Sequence, residues 1–233
     1  MQRPVLHQGL CRRGQSAGLN DFQVFHHDIK NSALFGVGVG YEFNSWLRFD
    51  VAGEYRGRSA FFAQDRYPGG DGTLSRISND EADLFLPGTN EYTADIESWG
   101  GLANGYLDLG TYWCITPYVG GGLGVASIGV LGLKDVNVPN GGIAFGADHN
   151  ETNFAWALYA GLAYDVTLGF TIDLSYRYTD LGDARSGVIT AYDNSSSDRA
   201  LDIYDITSHD LMLGVRWKLG HQPAVAPMPV AFK

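Results

Sequence analysis

The sequence is short of cysteines, charged residues and long apolar runs, and each shortage excludes a kind of protein. Only two cysteines occur among 233 residues, Cys11 and Cys114, and their spacing fits neither a zinc site nor a redox motif. No run of 18 or more apolar residues is present, which excludes a transmembrane helix on length. Charged residues make up 18% of the chain, less than in an ordinary water-soluble domain.

Basic residues are scarce as well, so the formal net charge is -10. Nucleic acid is therefore not an expected partner, because phosphate binding needs a basic surface. The segments 58–95, 129–152 and 180–205 contain 7, 3 and 6 acids against 3, 1 and 2 bases, which accounts for the whole net charge. We interpret these acidic segments as loops between strands.

What the sequence does contain is a repeated alternation of apolar and polar or small residues, the period of a β-strand. Each alternating segment is about ten residues long, enough for a tilted strand to cross a bilayer. The connections between the segments are alternately short and long. This pattern predicts an all-β, antiparallel up-and-down transmembrane β-barrel with seven strands evident, at 33–43, 47–56, 97–109, 117–126, 154–165, 168–179 and 210–219.

The two faces of these strands differ in size and charge. The apolar face carries bulky aromatics, whereas the other face mixes glycine, alanine and charges, which suits a narrow interior and not the surface of a lipocalin-like barrel. Because an eight-stranded barrel is only wide enough for side chains to fill, we expect the inward charges to plug the lumen. The predicted lumen charge network is Glu42, Arg48, Asp50, Glu54, Arg56, Asp108, Asp173, Arg177, Arg216 and Lys218.

Aromatic residues on the apolar face fall at both ends of the strands. Tyr and Trp concentrate at the two interfaces of a membrane, so this placement predicts two aromatic belts. The predicted membrane-interface aromatics are Tyr41, Phe43, Tyr164, Phe170 and Trp217 beside the short turns, and Tyr55, Trp99, Phe154, Trp156 and Tyr178 beside the long loops.

Several of these segments together resemble a known family. GVGVGYEFNSWLRFDVAGEYRG, NGYLDLGTYWCITPYVGGGLGVA, LYAGLAYDV, DLSYRYTDLGD and SHDLMLGVRWKLG are similar to the opacity-like outer-membrane proteins of alpha-proteobacteria, over roughly residues 20–233. The resemblance implies the eight-stranded barrel of the enterobacterial outer-membrane protein A and a place in the outer membrane of a Gram-negative cell. It implies a porin-like surface antigen in contact with lipid and lipopolysaccharide, and with peptidoglycan or host surface molecules as further candidates.

The functional expectation is an envelope-integrity and surface-contact role without catalytic residues, metal or cofactor. The alternative is a small-solute or haem-uptake barrel, because His26, His27 and His149 lie in predicted loops. His209 beside Ser208 and Asp210 suggests a hydrolase, but adjacent strand residues point to opposite faces. We therefore expect no enzyme activity.

Three regions follow from the pattern: an irregular segment with the first external loop at 1–32, the barrel at 33–219 and a Pro-rich periplasmic tail at 220–233. Closed bacterial barrels have an even number of strands, yet seven are found. Since no signal-peptide core is visible either, we expect the sequence to begin after a signal peptide and a first strand. The edges of 33–43 and 210–219 would then lie unpaired.

Overall fold

A computed structural model of the chain describes residues 23–67, 88–138, 141–192 and 200–219. None of the described residues belongs to a helix long and apolar enough to cross a membrane. The described strands are β1 (Gln23–Ile29), β2 (Leu34–Glu42), β3 (Leu47–Tyr67), β4 (Gly88–Asp108), β5 (Ile115–Asn137), β6 (Ile143–Gly146), β7 (His149–Thr167), β8 (Phe170–Asp180), β9 (Ala184–Arg185), β10 (Ile189–Ala191), β11 (Asp202–Ile203) and β12 (Thr207–Trp217).

The long strands form one antiparallel sheet with seven positions. β1 and β2 share the first position, because both pair with β3. β1 pairs with residues 61–66 of β3, and β2 pairs with residues 48–56. β4, β5, β7, β8 and β12 follow in that order. The sheet is curled, since Arg56 on β3 and Asp210 on β12 form a salt bridge of 2.9 Å. The predicted all-β antiparallel fold is confirmed.

The strands are longer than the sequence predicts. β3 and β4 have 21 residues each and β5 has 23, so they extend well into the predicted loops 57–96 and 127–153. The apolar residues change faces within these segments, which breaks the alternation expected of one continuous membrane strand. On β3 an irregularity between Arg56 and Ser59 inserts an extra residue and causes the change.

The N-terminal region also differs from the expectation. Where the sequence predicts an external loop before residue 33, residues 23–29 form β1 and pair with 61–66 of β3. The rest of the predicted 1–32 region up to residue 22, and the predicted tail 220–233, lie outside the described residues. The predicted 180–209 loop contains the short strands β9, β10 and β11.

The curled sheet contains two cores, one above the other. The lower half comprises residues 34–56, 98–126, 154–180 and 207–217, and its interior holds charges together with tyrosines and alanines around Tyr106. The upper half comprises residues 58–67, 89–97, 127–137, 181–192 and 200–206. Its interior is an apolar cluster that includes Ile128 and Val130.

Candidate functional site

Arg177 on β8 is the centre of the charged lumen in the lower half. It is 1% exposed, and its Nη1 lies 2.5 Å from the Glu54 carboxylate on β3. Its Nη2 and Nε donate to Asp210 on β12 at 2.9 and 3.2 Å. Arg56 donates to both oxygens of Asp210 at 2.9 Å, and the Ser208 hydroxyl donates to Asp210 at 2.8 Å. Two guanidinium groups therefore tie β12 to β3 and β8 through one carboxylate.

A second buried guanidinium lies lower in the lumen. Arg48 donates from Nε to Asp108 at 3.1 Å. Its guanidinium carbon lies 4.3 Å from the ring centre of Tyr106 and 4.4 Å from that of Tyr118. Such cation–π contacts strengthen when water is excluded. Arg48 is thus held between two aromatic rings as well as by a carboxylate.

The remaining lumen charges also have polar partners. The Nε of Arg216 lies 2.5 Å from Oδ2 of Asp173. At the lower end of the sheet, the Nζ of Lys218 lies 3.0 Å from Oε1 of Glu42. Asp50 accepts a hydrogen bond of 2.6 Å from the amide of Asn104. All ten charges predicted for the lumen therefore lie on the inner face, nine of them in ion pairs and Asp50 beside an amide.

Sequence reasoning missed three inner residues that complete this network: Asp210, Asn104 and Tyr159, whose hydroxyl donates to Asn104 at 3.0 Å. Asp210 lies on the inner face by the alternation of β12, but its position beside His209 suggests a hydrolase pair and not a lumen charge. Asn104 and Tyr159 carry no charge, so a search for ion pairs could not find them.

Glycines on the inner face of β5 make room for the lumen aromatics. A Cβ atom at Gly120 would lie 2.8 Å from the Gly105 carbonyl and would collide with the ring of Tyr106. A Cβ at Gly122 would collide with the amide oxygen of Asn104. The glycine repeat of this strand therefore has a packing cause, because larger residues would displace the side chains that fill the interior.

Between the charged lumen and the apolar core lies a cavity of about 20 Å³. Its lining includes Glu54, Arg56 and Arg177 from the charged network and Leu102 and Leu181 from the two cores. This volume has room for about one water molecule.

The upper half is closed by residues 181–192 and 200–206, which we call the strap. Five strap residues pack into the apolar cluster: Ala184, Ile189, Leu201, Ile203 and Ile206. The strap is fixed by a hairpin in which Ser186 donates its amide to the Leu201 carbonyl at 2.9 Å and accepts the Leu201 amide on its hydroxyl at 2.9 Å. The described strap residues therefore pack onto the inner face of the upper half.

The outer face of the sheet changes from apolar to polar at the boundary between the lower and upper halves. The ten predicted interface aromatics lie on the outer face of the lower half, with ring pairs Phe170–Trp217 at 5.1 Å near the lower end and Trp156–Tyr178 at 5.4 Å near the upper end. Above Tyr55 and Trp99 the outward residues become polar, as in the exposed Arg58–Glu97 pair at 3.3 Å. The apolar outer surface thus ends where the polar lumen ends.

The histidines whose side chains the structure describes form no assembled site. His209 lies on the outer face, where its Nδ1 is 2.5 Å from the Tyr176 hydroxyl, while Asp210 is held inside by arginines. His27 lies on β1 and His149 begins β7, and these strands are not neighbours in the sheet. The side chain of His26, also on β1, lies outside the described part of the chain.

A curled antiparallel sheet with an apolar outside and a charged inside defines a transmembrane β-barrel of the bacterial outer membrane. The chain belongs to the family of outer membrane protein β-barrel domains, which matches residues 13–218. The predicted outer-membrane location in a Gram-negative envelope and the resemblance to opacity-like barrels are confirmed.

Individual proteins are also similar to this chain. An uncharacterised protein of Brucella suis biovar 1 is 31% identical over 166 residues, which cover 69% of this chain and 56% of that protein. The outer membrane protein PagN of Salmonella typhimurium is 27% identical over 192 residues, covering 78% of this chain and 71% of PagN. The outer membrane protease OmpT of Escherichia coli aligns with a TM-score of 0.41 and 11% identity, over 85% of this chain and 66% of OmpT. The chain thus spans little more than half the length of the Brucella relative.

Proposed function

We propose that this protein is a structural and surface-contact barrel of the outer membrane whose lumen is closed by side chains. The observation that supports it is the Arg177 network, in which two arginines and two carboxylates cross the interior from β3 to β8 and β12. The 20 Å³ cavity above the network and the strap over the upper half support the same conclusion. A solute path through the lumen would require both the Arg177 network and the strap to rearrange.

The proposal includes the absence of catalysis. A His–Asp hydrolase needs the carboxylate to orient the imidazole, but Asp210 faces the lumen and is engaged by Arg56, Arg177 and Ser208. His209 faces outward beside Tyr176 and Tyr178. Haem uptake is not favoured either, because His27, His149 and His209 lie on three separate strands.

The proposed contacts are with lipid and lipopolysaccharide around the lower half, and with peptidoglycan or host surface molecules beyond it. Aromatic side chains such as Trp99 and Trp217 are 64% and 72% exposed, which suits an environment of lipid and headgroups. Acidic outward residues above them, Glu91, Asp95 and Glu97, suit bridging through divalent cations to anionic headgroups.

Liposome swelling and planar-bilayer recordings test the closed lumen. We expect the wild type to show no steady channels and no sugar-driven swelling. The double variant Arg56→Ala/Arg177→Ala should leak more, whereas the matched variant Arg58→Ala/Arg185→Ala, which removes two exposed guanidiniums, should behave as the wild type. Reproducible channels of porin size in the wild type would overturn the proposal.

A further inference from the structure

Thr179 on β8 is a buried polar residue that the charged network does not use. It is 1% exposed, and its hydroxyl has no hydrogen-bond partner among the described residues. Moving a hydroxyl from water into a protein interior costs free energy unless a new hydrogen bond replaces those made to water. Buried hydroxyls without a partner are therefore uncommon, and this one points to a bound molecule.

Thr179 lines the cavity of about 20 Å³ between the charged lumen and the apolar core. Ser98 on β4, which is 6% exposed, lines the same cavity, and so do Arg56 and Arg177. β4 and β8 are separated in the sheet by β5 and β7, so Ser98 and Thr179 reach the cavity from different parts of the wall. Two hydroxyl residues and two arginines therefore border one small space.

The residues around the cavity are rich in hydrogen-bond donors. Arg177 donates to Glu54 and Asp210. Arg56 donates to Asp210 through both of its terminal nitrogens. A guanidinium has more N–H groups than these contacts use, and a hydroxyl can donate as well as accept. A molecule in the cavity must therefore accept hydrogen bonds, which an aliphatic ligand cannot do.

Charge and volume restrict the ligand further. Arg56 and Arg177 are balanced by Glu54 and Asp210, with which they form ion pairs of 2.5 to 2.9 Å. An added ion would place an uncompensated charge beside the buried Arg177, and such a charge is costly. The volume accepts about one water molecule. The ligand is therefore a single uncharged molecule of that size that accepts hydrogen bonds.

We propose that this cavity is a binding site for one internal water molecule, held by the hydroxyls of Ser98 and Thr179 and by an arginine of the lumen network. The ion pairs of Arg56 and Arg177 join β3, β8 and β12, and the bound water adds β4 to them. It thereby extends the polar network to the level at which the apolar core of the upper half begins. The site does not depend on the proposed surface-contact role, because it needs no external partner.

The sign of one stability change tests the site. Thr179→Val replaces the hydroxyl by a methyl group and keeps the shape of the side chain. With water bound, the variant loses a hydrogen bond, and its folding equilibrium constant in a urea titration in vesicles should fall about five-fold. If the hydroxyl has no partner, its removal relieves a desolvation cost. The constant would then stay unchanged or rise, which would overturn the proposal.

Thr171→Val is the matched control. Thr171 is also 1% exposed, but its hydroxyl donates to Asp165 at 2.6 Å. Its removal should lower the folding equilibrium constant whether or not water is bound at Thr179, because a direct hydrogen bond is lost. The control therefore shows the loss that a satisfied buried hydroxyl gives in the same assay.

Two further measurements identify the ligand. In a double-mutant cycle with Ser98→Ala, one shared water predicts that the double variant loses little more than either single variant. Additive losses would show that the two hydroxyls do not bind the same molecule. The difference between the wild type and Thr179→Val is then compared in sodium chloride and in sodium gluconate at equal ionic strength. We expect no change, whereas a difference that requires chloride would show an anion site and overturn the proposal.

Discussion

The lower and upper halves of the sheet are built with opposite polarity, although the same strands run through both. On β5, Leu123 and Val125 point outward in the lower half, whereas Ile128 and Val130 point inward in the upper half and are 1% and 0% exposed. Each half places its apolar residues where water is absent: against lipid below and inside the cap above. Which face of a strand is apolar therefore depends on whether lipid or water surrounds that part of the strand.

The contents of the two interiors follow from this difference. The lower interior packs small and aromatic residues around Tyr106, and it is also held by ion pairs and hydrogen bonds among Arg48, Arg177 and their partners. The upper interior resembles the core of a water-soluble domain, in which aliphatic residues of the strap pack on those of β3, β4 and β5. Removing a side chain should therefore have different consequences in each half.

The largest effect is expected in the lower interior. Arg177→Leu leaves Glu54 without its guanidinium in a buried site, and breaking a buried ion pair by removing one partner costs about 4 kcal/mol of unfolding free energy. Urea titration in vesicles, followed by tryptophan fluorescence, measures this loss. Arg58→Leu is the matched control, because Arg58 is 64% exposed in its ion pair and should change stability by less than about 1 kcal/mol. Equal losses in both variants would contradict a lumen held by charge.

A somewhat smaller effect is expected in the upper interior. Leu133 is 1% exposed in the apolar cluster, so Leu133→Ala should cost about 3 kcal/mol through lost burial and a cavity. Because the cap is a separate core, the loss should appear as faster proteolysis of the strap while the lower half keeps its heat-modifiable migration. Leu131→Ala, on the outward side of the same strand, should leave proteolysis unchanged. Simultaneous loss of both halves would show that they unfold as one unit.

The lower half could be predicted from sequence because its alternation is long and regular. Apolar residues such as Phe49, Val51 and Tyr55 identify the outer face. The charged residues between them must then point inward, because successive side chains of a strand point to opposite faces. The pairing among those charges could not be predicted, because it depends on how far each strand is displaced along its neighbour. Thus Arg56 meets Asp210, 154 residues away, across the lumen.

The upper half was missed for a physical reason that the sequence does contain. On β5 the apolar positions change from odd numbers up to Val125 to even numbers from Ile128, which is the sign of a strand leaving lipid for water. On β3 the numbers stay odd from Val51 to Phe61, but the extra residue between Arg56 and Ser59 turns Phe61 inward. A search for one uniform pattern reads both changes as the end of a strand.

The boundary between the halves can be tested directly by placing the same charge on the outer face of each. Leu174 lies near the middle of β8 in the lower half, and Leu174→Arg should cost about 2 to 3 kcal/mol, as expected for a cation facing the hydrocarbon near the centre of a bilayer. Thr93→Arg, outward on β4 in the upper half, should cost almost nothing because its side chain faces water. Both values come from urea titrations in vesicles. A loss for Thr93→Arg as large as that for Leu174→Arg would place the upper half in lipid and contradict the assigned boundary.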